Sequence, residues 1–325
     1  MPTPLQKSIC ATLHYFDIFD YPLTLLEIHR YLYKGNWWHN EVFDATLYDL
    51  VKELDAMNQT IGSHEGFYFF KGRESLVKTR ALRYLAAYQK FRKALPVCEV
   101  LSLMPGVTQI YAVNTLAYAN AKPSSDIDLL IITRPRRLWT ARFFCVSFLK
   151  LLGRRPIVFG HQQKTGQISL FQKIRESKKN SRAFCLTFFL SQGSMDIQSV
   201  AKAQFDPYLV FWIAQALCIY TSDPKAPSLM IANRWIRRFL PNAREQEPTL
   251  PLRIRTHVAV PSLGALCEKW AEMFQRAVLP SAIKNAEKQN DCGVIMNERM
   301  LKFHLNDMRA QYAREFQNRL HTLNV

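Results

Sequence analysis

The chain has 325 residues, 48% of them hydrophobic and 12% aromatic, enough to bury substantial cores in two or three domains. Its 43 Lys and Arg against 26 Asp and Glu leave a net charge of +17, which suits polyanionic partners: a triphosphate, RNA or an anionic membrane surface. No apolar run reaches the roughly 18 residues of a membrane span. Met1-Pro2-Thr3-Pro4 has no signal-peptide pattern, and seven scattered cysteines without C-x-x-C spacing exclude a zinc site, so free thiols in a reducing cytoplasm are expected.

Charge divides the chain. Through residue 70 four basic residues face nine acids, so 39 basic and 17 acidic residues fall in 71–325. The acidic part, residues 1–72, has the layout of a winged-helix-like domain. Helices are expected at 4–15, from a Thr24 cap to 32, and at 41–56, with 60–61 and 66–70 pairing as a wing. The third helix carries Glu41, Asp44, Asp49, Glu53 and Asp55 against Lys52. DNA phosphates would repel it, so it is expected to pack or to contact protein.

A long basic helix follows over 74–103, interrupted near Pro96, and opens an α/β domain of residues 73–203 with a mixed sheet. Residues 107–113 alternate like a strand, 114–120 read as a helical turn, and 184–190 read as a buried strand. Further basic groups span 134–155 and a polar loop at 164–182. Residues 204–325 read as an all-α domain, with helices at 207–221, 228–240, 262–287 and 307–323 and an exposed linker at 243–252. His304 reads as a helix-capping or core residue.

Ser125-Asp126-Ile127-Asp128-Leu129-Leu130-Ile131-Ile132-Thr133 carries the chemistry. On a strand Asp126 and Asp128 share one face, while Ile127 points the other way. Two anions so placed are destabilising unless a proton or cation lies between them, and hard carboxylate oxygens suit Mg²⁺ or Mn²⁺. That chemistry points to phosphoryl or nucleotidyl transfer.

The run from Val113 to Asp128 resembles the signature of the polymerase-beta-type nucleotidyltransferases: a Gly-Ser pair, then about ten residues, then D-x-D. Arg134-Pro135-Arg136-Arg137-Leu138-Trp139, Phe19-Asp20-Tyr21-Pro22-Leu23-Thr24, Phe239-Leu240-Pro241-Asn242 and Leu301-Lys302-Phe303-His304 resemble a bacterial subfamily of such proteins. The resemblance implies a nucleotidyltransferase palm that transfers NMP from a nucleoside triphosphate to a hydroxyl with two metal ions. Asp126 and Asp128 would then be the catalytic ligands, joined by a third carboxylate. Asn114 and Thr115 stand where the family has Gly-Ser, and with Lys122, Ser125, Arg137 and Arg142 they would bind the triphosphate. The strand at 184–190 holds no acid, so Asp196 is the expected third ligand, with Asp206 behind it. These departures keep a second reading open, in which an inactive palm binds nucleotide or RNA as a scaffold.

Overall fold

The computed structural model describes residues 2–38, 43–154, 183–202, 206–246, 265–289 and 293–321. The basic loop expected at 164–182, most of the linker at 243–252, Glu41 and Cys292 lie outside them.

Threonine caps shape the N-terminal region. Thr3, Thr24 and Thr46 each close a capping box, with Gln6, Glu27 and Asp49, at the start of α1 (Pro4–Asp17), α2 (Leu25–Arg30) and α3 (Leu47–Ala56). The short β1 (Leu23–Thr24), β2 (Ile61–His64) and β3 (Phe67–Phe70) form an antiparallel sheet in the order β1-β3-β2. Between β2 and β3, Glu65 (φ 52°) and Gly66 (φ 78°) are both left-handed, as a two-residue hairpin of the right twist requires.

A second, six-stranded mixed sheet has the order β7-β4-β5-β6-β9-β8, built from β4 (Val107–Ala112), β5 (Ile127–Thr133), β6 (Phe184–Ser191), β7 (Leu217–Thr221), β8 (Val294–Met296) and β9 (Met300–Phe303). Only β5 and β6 pair in parallel; the other neighbours are antiparallel. The strands at 217–221, 294–296 and 300–303 correct the all-α reading of 204–325. The expected helix over 207–221 stops at Gln215, where Leu217-Cys218-Ile219-Tyr220-Thr221 pairs with β4 instead. A short apolar run of this kind fits a buried strand as well as a helix, and the open sheet edge decides it. The other expected helices of this region are also shorter. They are α8 (Leu229–Ala232), α9 (Ala265–Val278), α10 (Ser281–Lys288) after Pro280, and α11 (Arg309–His321).

Each sheet face carries its own core. On one side α4 (Ser75–Ser102) and α6 (Leu138–Leu151) pack on the sheet, with α9 laid against α6 and α10 against β8. On the other side α7 (Pro207–Gln215) and α11 join the N-terminal helices in one continuous apolar cluster. Tyr15 of α1 stacks on Phe211 of α7 with centroids 3.7 Å apart. The expected boundary between 72 and 73 is thus not a break in the core. α4 runs through Pro96 without interruption and is pinned to the N-terminal region by Arg80 on Glu27 (2.7 Å) and Arg83 on Asp20 (3.3 Å). No helix among the described residues is long and apolar enough to cross a membrane.

Asp206 caps α7, accepting from Leu209 N at 3.0 Å, so it serves the helix start and not a metal. It also accepts from Arg309 at 2.8 Å, and Arg309 forks onto Asp307 at 2.8 Å. Removing one partner from a buried ion network leaves the others uncompensated. Arg309→Met is therefore expected to lose about 3–5 kcal/mol in urea unfolding, and an unchanged midpoint would show that the network carries no stability.

Candidate functional site

The D-x-D segment lies at the start of the central strand β5. Ile127 enters the core on the α4 side, while Asp126 and Asp128 remain partly exposed on the edge that opens toward α7. In the parallel register Asp128 stands opposite Cys185 of β6. One oxygen from each carboxylate and the Cys185 sulfur all lie within 4.8 Å of one another. Burial first, then the Asp126 charge, pushes the Asp128 carboxyl up; burial does the same to Asp126. Cys185 is also held well above the usual thiol range by burial and by the two aspartates. The donor chemistry thus fits a hard divalent ion on the two carboxylates, with a protonated thiol beside them.

Asn114 opens α5 (Asn114–Ala117) directly after β4, in the left-handed region at φ 55°. Its Oδ1 accepts from Trp212 Nε1 at 2.9 Å and from Tyr208 OH at 3.3 Å, and its amide donates to the Asp128 carboxylate. Asparagine tolerates this backbone and uses its side chain to lock the turn onto both α7 and the strand. Thr115 sits beside it, over a smaller cavity of about 90 Å³.

The loop entering β5 is held from behind. Lys90 of α4, buried, donates from Nζ to Pro123 O at 3.1 Å and to Ser125 O. Burial lowers its proton affinity, and Asp126 works against that. Ser125 commits its hydroxyl to Lys122 O at 2.9 Å, leaving the Lys122 side chain exposed on the same edge as the carboxylates.

The remaining expected residues lie elsewhere. Arg137 and Arg142 follow the far end of β5, and Asp196 follows the far end of β6. A seven- or eight-residue strand spans about 25 Å, so none of them joins Asp126 and Asp128. Arg137 packs on the Gly106 turn. Arg142 is buried, bonded to Gln275 at 2.6 Å and stacked over Phe303. Asp196, exposed, accepts from Gln198 N at 3.0 Å in its own turn. The third-ligand and phosphate roles expected of these residues are corrected on that ground.

On β6 the side chains nearest the pair are Cys185 and Thr187. Thr187 Oγ1 lies 3.5 Å from Cys185 Sγ and 3.0 Å from His304 Nε2. His304 is neither a cap nor plain core: it lines a cavity of about 230 Å³ together with Asn114, Asp128, Thr187 and Trp212. Burial and Lys302 push His304 down to about 4, so the imidazole is neutral near pH 7. It can therefore accept a hydrogen bond through an unprotonated ring nitrogen. Phe188 and Trp212 stack at 6.0 Å along the wall. The polar alternation Cys185-x-Thr187 inside an apolar strand was the readable sign of this face; nothing local to residues 208, 212 or 304 marks theirs.

No family model, curated protein or solved structure matches the chain.

Asp128→Asn removes one of two crowded anions. A carboxyl whose folded affinity for protons is raised loses stability as pH rises above its unfolded value of about 4. The metal-free variant is thus expected to exceed wild type by on the order of 2 kcal/mol at neutral pH, with the gap closing in acid. A thermal melt series from pH 4 to pH 8 checks this; a gap that does not vary with pH would contradict it.

Proposed function

We propose that the chain is a nucleotidyltransferase that moves an NMP group from a nucleoside triphosphate to a hydroxyl acceptor, with Mg²⁺ or Mn²⁺ held by Asp126 and Asp128. The observation that carries this is the convergence at one sheet edge of two carboxylates, a left-handed Asn114 turn and the 230 Å³ cavity. The run α4-β4-α5-β5-α6-β6, with β4, β5 and β6 adjacent, supports a palm reading of residues 73–203. The order α1-β1-α2-α3-β2-β3 supports a winged-helix-like reading of residues 1–72, whose acidic third helix favours protein contact. The free thiols Cys10, Cys98 and Cys145, all buried, support a cytoplasmic setting.

A divalent ion at the pair would neutralise phosphate charge and align the triphosphate. The chain's own residues then have separate tasks. Asn114 and Thr115 form the turn beside the phosphates, and Lys122 offers a cation from the same edge. Thr187 and neutral His304 face the cavity where an acceptor hydroxyl would enter. Phosphoryl chemistry needs alignment and charge neutralisation more than covalent help, so this short inventory is sufficient.

One observation favours the second reading. β6 offers Cys185 and Thr187 where a third carboxylate would stand, which suits a protein that binds nucleotide or RNA without transferring it. Calorimetric titration with ATP, GTP, CTP and UTP separates the two. Mg²⁺-dependent binding that Asp126→Asn abolishes is the expected result; binding indifferent to Mg²⁺, or no binding to any of the four triphosphates, would overturn the transferase and favour the inactive form. Asn114→Gly, which empties the turn while keeping its backbone, is expected to raise triphosphate affinity about tenfold; a loss of affinity would show that the Asn114 amide serves the nucleotide itself.

A further inference from the structure

Two helices on the same side of the six-stranded sheet turn large apolar side chains to solvent. α9 buries Ala271 and Gln275 and presents Leu266 (84% exposed), Trp270, Met273 (68%), Phe274 and Val278. Their spacing of i, i+4, i+7, i+8 and i+12 makes one stripe along the helix. Trp270 and Phe274 stack with centroids 5.5 Å apart, and Phe143 of α6 meets both edge-on, so the stripe is a prearranged surface. On α4, Leu82 (60% exposed) and Leu85 (57%) point outward. Lys78, Arg92 and Lys93 are exposed on the same helix. Single exposed leucines need no explanation, but two such rows over one sheet face do.

We infer that this face docks on a lipid bilayer carrying anionic headgroups. Charge selects that occupant. α4 holds six Lys and Arg against Glu99 alone. Arg80 and Arg83 turn inward to Glu27 and Asp20, and the exposed cations remain on the outer side. A second copy of the chain would bring its own +17 and be repelled, whereas an anionic surface attracts it. RNA would engage the lysines and arginines but gives Leu266, Met273 and Val278 no apolar phase to enter. An in-plane helix with Trp, Phe and Leu on one side, steered by nearby basic residues, is how a protein rests on a membrane without spanning it.

The test is co-sedimentation of the full chain with phosphatidylcholine vesicles, with and without phosphatidylglycerol. Binding is expected to the anionic vesicles, weakened by salt, with a blue shift of tryptophan emission. Leu266→Glu with Met273→Glu, and separately Arg92→Glu with Lys93→Glu, are expected to cut partitioning at least about tenfold with unchanged circular dichroism. These four side chains are exposed, so the fold does not depend on them. Failure to sediment with anionic vesicles would overturn the inference. So would variants that sediment like wild type, or a dimer by light scattering that Leu266→Glu disperses. RNA binding in the absence of vesicle binding would overturn it as well.

Discussion

Two carboxylates on one face of one strand repel each other, and the architecture around β5 answers that repulsion. Asn114 donates to Asp128, and Lys90 grips the carbonyls of the loop that delivers Asp126 while lending its charge to that carboxylate. Cys185 stands opposite in register as a neutral neighbour. These groups come from a turn, a long helix and an adjacent strand. Folding therefore assembles them only when β4, β5, β6 and α4 are all in place. The cost of the anion pair is met by tertiary structure.

The same logic explains why the molecule is less modular than its charge pattern suggests. The acidic first 70 residues and the basic remainder are joined through ion pairs that use that contrast. Arg73, just ahead of α4, and Arg80 and Arg83 on it reach Asp17, Glu27 and Asp20. The aromatic cluster of Tyr15, Phe16, Tyr31 and Phe211 then fuses the N-terminal helices to the sheet through α7. Charge asymmetry along the sequence here is complementarity within the fold.

Much of the local structure was legible because local chemistry determines it. Thr24 and the Asp206-Pro207 pair announce helix starts, and the D-x-D spacing a shared strand face. Asn114 was readable as a residue able to take the left-handed turn, and it does. What failed was whatever depends on the partner strand. The run at 217–221 is strand because β4 has an open edge, and Met300–Phe303 is strand because β6 does. Arg142 looked like a phosphate ligand by nearness in sequence, yet a seven-residue strand carries the chain to the opposite edge of the sheet before α6 begins. His304 and Trp212 reach the cavity through folding across about 100 residues or more of chain, a distance no periodicity can express.

α4 is a strut of 28 residues, about 42 Å of continuous helix. Its first turns are bolted to the N-terminal helices by Arg80 and Arg83, and Lys90, two turns further on, holds Pro123 and Ser125. A helix is stiff along its axis and cannot absorb a small displacement between those points. Whatever grips the acidic N-terminal face therefore has a mechanical handle on the loop that aims Asp126, with a lever arm of about 10 Å between clamp and load.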